Sequence, residues 1–62
     1  MENYEIRLLN GEAERALVYS SAQASDFAAI RRAQTLAGRC DAVEVWRGMT
    51  CIYSARQSEL QN

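Results

Sequence analysis

A chain of 62 residues has room for one domain, and at this size folding removes only about 60% of the unfolded chain's surface from water. Seven basic and 8 acidic residues give a net charge of −1, without the basic excess that a duplex-DNA surface needs, and the absence of histidine removes the easiest general base near neutral pH. The 2 cysteines have no C-x-x-C spacing and no histidine beside them, so neither a metal nor a cofactor is expected.

The opening Met1-Glu2-Asn3-Tyr4-Glu5 has no basic stretch followed by an apolar run. No secretion signal or membrane span is read there, and a cytoplasmic protein is expected. Tyr4 to Leu9 alternates apolar and polar until its last residue, the period of a half-buried strand. Asn10-Gly11 tolerates positive φ and reverses the chain, either tightly or through a loop running to about Glu14. Arg15 to Ser20, with Leu17, Val18 and Tyr19, is the returning strand, and its alternation does not settle whether Val18 or Tyr19 faces inward.

From Ser25 the period becomes helical. Ser25 is placed to cap exposed backbone N–H groups, with Ser21 as an alternative start, and Asp26 suits the positive end of the helix dipole. Projected at 100° per residue, Asp26 to Ala37 puts Phe27, Ile30, Ala33, Leu36 and Ala37 on the sheet-facing side, with Ala29 at its edge. Gly38 is the expected stop. Asp41 to Tyr53 then reads as a second hairpin, bent at Arg47-Gly48 or Gly48-Met49. Either two-residue bend gives Val43, Val45 and Ile52 one face and Glu44, Trp46, Met49, Cys51 and Tyr53 the other, whereas a three-residue bend reverses one strand. Residues 55–62 are mostly polar around an isolated Leu60 and are expected to form a disordered tail after a domain spanning 1–54.

The expected fold is therefore α+β, with element order ββαββ. A four-stranded, mainly antiparallel sheet in the order 2-1-3-4 carries one helix on one face, because that order keeps every pairing antiparallel and the crossing connection short. The expected core is Tyr4, Ile6, Leu8, Leu17, Phe27, Ile30, Ala33, Leu36, Ala37, Val43, Val45 and Ile52.

Catalysis finds little support. Glu12 and Glu14 in a turn and Glu44 in a strand read as solvated charges, and no serine or cysteine has an activating base. Ser25 is explained as a cap, Cys51 as a small hydrophobe, and Gly11, Gly38 and Gly48 by turns and caps rather than a phosphate-binding loop. Cys40 and Cys51 fall out of register in the predicted hairpin, so two free thiols are expected rather than a bridge. A pocket of even ~300 Å³ is hard to enclose with so short a chain. A non-enzymatic protein follows.

The uncovered sheet face is the more informative feature. Trp46, Met49, Cys51 and Tyr53, with Leu9 and Val18 beside them, would form an apolar patch that one helix cannot cover; the alternatives are that Trp46 folds over the edge of its own core or that Glu44 and Arg7 break the patch. A secondary surface is Arg31, Arg32 and Arg39 on the outer helix face, where a solvated face is the plainer explanation. Two functions compete. One is a protein-interaction module that self-associates as a homodimer through the uncovered face and presents its helix to another protein. The other is single-stranded nucleic-acid binding, with bases on Trp46 and Tyr53 and phosphates on Arg7, Arg47 and the helix arginines. The acidic balance, the absence of lysine and the missing glycine and aromatic signature of common RNA-binding sheets favour the first.

Three segments carry a resemblance: Tyr4-x-Ile6-x-Leu8, the helix run Ser25-Asp26-Phe27-Ala28-Ala29-Ile30-Arg31-Arg32-Ala33, and the hairpin run Val43-Glu44-Val45-Trp46-Arg47-Gly48. With them the chain resembles a group of short alphaproteobacterial proteins of unassigned function, over nearly its whole length apart from the tail. The resemblance implies a free-standing bacterial domain and brings no activity, cofactor or catalytic residue with it. All 7 basic residues being arginine, with frequent alanine, fits a GC-rich bacterial genome.

Overall fold

In the computed structural model, which describes residues 1–10, 15–38 and 40–56, four strands and one helix follow in the expected order. They are β1 Glu2–Asn10, β2 Arg15–Gln23, α1 Asp26–Ala37, β3 Ala42–Arg47 and β4 Thr50–Arg56. The sheet order is β2-β1-β3-β4 with every neighbour antiparallel. β1 and β3 are therefore central, and their alternation fits that place: Tyr4, Ile6 and Leu8 from β1 and Val43 and Val45 from β3 are buried on the helix side.

The helix begins where its cap demands. Ser25 has extended backbone, and its hydroxyl accepts from Ala28 N at 3.1 Å, satisfying one of the N–H groups that a helix start leaves free. It ends at Gly38, whose φ of +50° is open to glycine at little cost. Cys40 N then donates to Ala37 O at 2.8 Å. The loop expected at residues 11–14, with Gly11, Glu12 and Glu14, lies outside the described residues, as do Arg39 and residues 57–62 with Leu60.

Three expectations about packing change. The helix turns Ala29, Ala33 and Ala37 inward, with Ile30 and Leu36 half-buried on its flanks. Phe27 lies about 120° round from Ala33 and is 69% exposed. A stripe of small side chains at i, i+4 lets the helix lie close to the strands, so size rather than hydrophobicity chose the contact face. Leu17 points to the helix side, opposite Leu8, but is also exposed, because α1 packs mainly on β3 and does not cover this part of the edge strand. The open choice on β2 is settled the same way: Tyr19 pairs with Ile6 and takes the helix side, and Val18 pairs with Arg7 and takes the other.

The third change is a β-bulge. The β3–β4 hairpin bends at Gly48-Met49, with Arg47 opposite Thr50 and Gly48 at φ +61°, as primed hairpin turns require of their first central residue. Trp46 pairs with Cys51, but Val45 pairs with Tyr53, so Ile52 is an extra residue on β4. The insertion reverses the alternation beyond it. Tyr53 and Ala55 therefore face the helix, contrary to the expected placement of Tyr53 with Trp46, and Ile52 is half-buried at the bulge instead of a regular core residue. Ala55 is buried, and β4 runs on to Arg56, two residues into the segment expected to be a tail.

Candidate functional site

The sheet face away from the helix has no second layer among the described residues. β1 contributes Arg7 and Glu5 to it, and β3 contributes Glu44 and Trp46, with Glu5 opposite Trp46 and Arg7 opposite Glu44. The side chains close into one network. The Arg7 guanidinium lies over the Trp46 indole, 4.5 Å from the ring centroid. Arg7 Nε donates to Glu5 Oε1 at 3.0 Å, and Trp46 Nε1 donates to Glu44 Oε1 at 2.9 Å. Arginine over indole combines stacking with attraction to the negative ring face. As a result Trp46 is half-buried although no second layer covers it among the described residues.

Of the four expected interface residues, Trp46 and Cys51 share this face as cross-strand neighbours. Met49 stands at the tip of the hairpin turn and is 96% exposed. Tyr53 is on the opposite side, packed against the core, with its hydroxyl accepting from Gln34 Nε2 at 3.4 Å. Cys40 and Cys51 are unbridged. The patch is thus smaller and more polar than the sequence predicts. A signal for this was present: in an unbulged β4, the polar Ser54 and Arg56 would have pointed into the core.

Sequence reasoning also missed an anchor at the start of the helix. Tyr4 Oη donates to Asp26 Oδ1 at 2.6 Å, Arg47 Nη1 donates to Asp26 Oδ2, and Glu2 Oε2 lies 4.0 Å from Arg47 Nε. The hydrogen bond from Tyr4, with that from Arg47, holds the Asp26 carboxyl below its usual range. The same bond to Asp26 raises the Tyr4 phenol. Asp26 ties the helix N-terminus to both central strands, which identifies the cluster as a structural clamp. Only the three-dimensional topology brings residues 4, 26 and 47 together, so no local pattern could reveal it.

A partly open cleft of about 370 Å³ lies beside the clamp, lined by Tyr4, Glu5, Ser20, Ser21 and Gly48 among others. It is larger than the volume judged hard to enclose, but the chain does not close it. Its one carboxylate, Glu5, is engaged by Arg7. Among the described residues no buried side-chain nitrogen or oxygen lacks a hydrogen-bond partner, and no group of three His, Cys, Asp or Glu is placed to hold a metal.

The helix arginines Arg31 and Arg32 are exposed as expected, with the Arg31 guanidinium 6.0 Å from the Phe27 ring centroid. More surface is left on β2. Leu17, Val18 and Tyr19 are 59%, 53% and 44% exposed in consecutive positions, two on the helix side and one on the other. No helix among the described residues is long and apolar enough to cross a membrane. Compared with known proteins, the chain finds no match: not among family models, curated proteins or solved structures.

Proposed function

We propose that this protein is a small, non-catalytic interaction module that self-associates through sheet surface its helix leaves uncovered. The observation that carries this reading is the position of Trp46: the one tryptophan of the chain stands on a sheet face with no second layer among the described residues, and Arg7 is stacked over its ring. Tryptophan and arginine are the side chains most enriched at interface centres, where their polar groups stay partnered as the flat surfaces desolvate. Val18 and Cys51, both exposed on the same face, extend its apolar part.

The charged groups favour a binding role over chemistry. Glu5, Glu44 and Asp26 each hold a defined hydrogen-bonding partner within the fold, Arg7, Trp46, and Tyr4 with Arg47 respectively. Arg7 already occupies an indole face on which a nucleic-acid base would stack, and Tyr53 is turned away, so the nucleic-acid alternative has little left to rest on. Sedimentation velocity over a dilution series tests the reading. Association that weakens on dilution supports it, and a monomer at high micromolar concentration, unchanged by Trp46→Ala, rejects it.

A further inference from the structure

We infer that two copies of this chain join edge to edge along β2, in antiparallel register about a two-fold axis at Val18, to make one continuous eight-stranded sheet. The inference rests on the self-association proposed above and goes beyond it, placing the contact at the β2 edge rather than over Trp46. β2 ends the sheet, so alternate backbone N–H and C=O groups along its outer side have no partner strand among the described residues. Natural edge strands are blunted by charge, proline, short length or a bulge. β2 has none of these between Ala16 and Gln23: the segment carries no charged residue and no proline, and its pairing with β1 is unbroken over all nine positions of the strand. The other edge, β4, carries both the Ile52 bulge and Arg56.

A second copy is the occupant that the side chains fit. A two-fold contact needs a self-complementary surface. Around Val18 the strand is symmetric in size: Ala16 and Ser20 are small, Leu17 and Tyr19 are large, and Val18 is between them. The inferred register sets Val18 against Val18 on the open face, Leu17 against Tyr19 on the helix side, and Ala16 against Ser20. Moving the axis to Tyr19 would set Leu17 against Ser21 and Val18 against Ser20, leaving apolar side chains opposite hydroxyls.

Charge and area agree with this choice. Between Ala16 and Gln23 the edge carries no charge to repel a copy of itself or to attract a charged peptide, and the inferred register sets Arg15 opposite Ser21 rather than another Arg15. At the observed exposures Leu17, Val18 and Tyr19 leave roughly 300 Å² of largely apolar surface on each copy, divided between the two faces that meet at this edge. The pair therefore falls below the ~1,600 Å² of a standard interface, and an association that reverses on dilution is expected. Both helices lie on the same side of the joined sheet, flanking a shallow trough floored by the Leu17 and Tyr19 rows.

The test combines sedimentation with isotope-filtered NMR on the full chain. The expected result is a dimer at high micromolar concentration, cross-chain contacts between Leu17 methyls and the Tyr19 ring in a mixed-label sample, and an association at least about tenfold weaker in Val18→Arg, which sets like charges together at the axis. The filtered spectrum uses the unmutated chain, so it decides the register even where Val18→Arg disturbs the strand. A dimer that survives Val18→Arg but is lost in Trp46→Ala overturns the edge pairing while leaving self-association through the open face intact. A monomer at every concentration overturns both. Open-ended assembly in place of a dimer overturns the closed two-fold pairing.

Discussion

At one border of the sheet, β4 interrupts its pairing with an extra residue, Ile52, and sends Tyr53 and Ala55 to the helix side; at the other, β2 pairs without interruption and keeps Leu17, Val18 and Tyr19 in water. The geometry of a lone helix explains why the two borders cannot both be sealed. A helix with its side chains is about 10 Å wide, whereas four strands spaced at ~4.8 Å spread well beyond it. α1 settles over the central strands, and each border is finished by its own local sequence. The bulge closes the β4 side by turning an aromatic ring and a methyl group under the helix, and β2 has no such device.

Inserting a serine after Tyr53 should break the comparison most severely. Tyr53 keeps its place opposite Val45, but the strand beyond it slips by one, which throws Ala55 to the open face and draws Ser54 inward against Val43, and we expect a loss of about 4 kcal/mol, read as a lowered midpoint in chemical denaturation. A paired substitution sharpens the contrast. Ala55→Glu places a carboxylate in a site that is 8% exposed, whereas Ala16→Glu places it on an exposed strand position. The first should cost about 3 kcal/mol and the second about 0.5 or less in the same denaturation assay.

The smallest effect is expected at the helix anchor, which belongs to the central strands and to neither border. The Asp26 carboxyl titrates below its usual value in the fold, so its contribution is complete above the ordinary carboxylate range and is lost as pH falls below about 4. The Tyr4 phenol is raised, so its share is complete below about pH 10 and is lost as pH climbs beyond that. Thermal unfolding across pH should show both limbs. Asp26→Asn should flatten the acid limb and Tyr4→Phe should remove the alkaline one.

Most of the architecture was legible because it is written in local periods. The alternation in β1, the Ser25 and Gly38 boundaries of α1 and the hairpin around Gly48 each follow from a few neighbouring residues, and the order 2-1-3-4 follows from keeping pairings antiparallel. What stayed hidden depends on non-local fit. Phe27 outweighs Ala29 on any hydrophobicity scale, yet close approach to the sheet selects the methyl group. Ile52 looks like a regular strand residue until Ser54 and Arg56 are given a side. The candidate surface was half legible: Trp46 and Cys51 lie where alternation puts them, the bulge moves Tyr53, and the screening of Trp46 by Arg7 arises from a diagonal between strands 39 residues apart in sequence.

The Arg7–Trp46 stack has a practical consequence for optical work. Since the chain holds a single indole, its long-wavelength ultraviolet emission comes from one spot on the open face and is largely blind to rearrangements beneath the helix. A colour shift or altered quenching would therefore signal that the guanidinium lid has moved or that something has docked there, and the protein carries its own fluorophore at the place where an observer would choose to attach one.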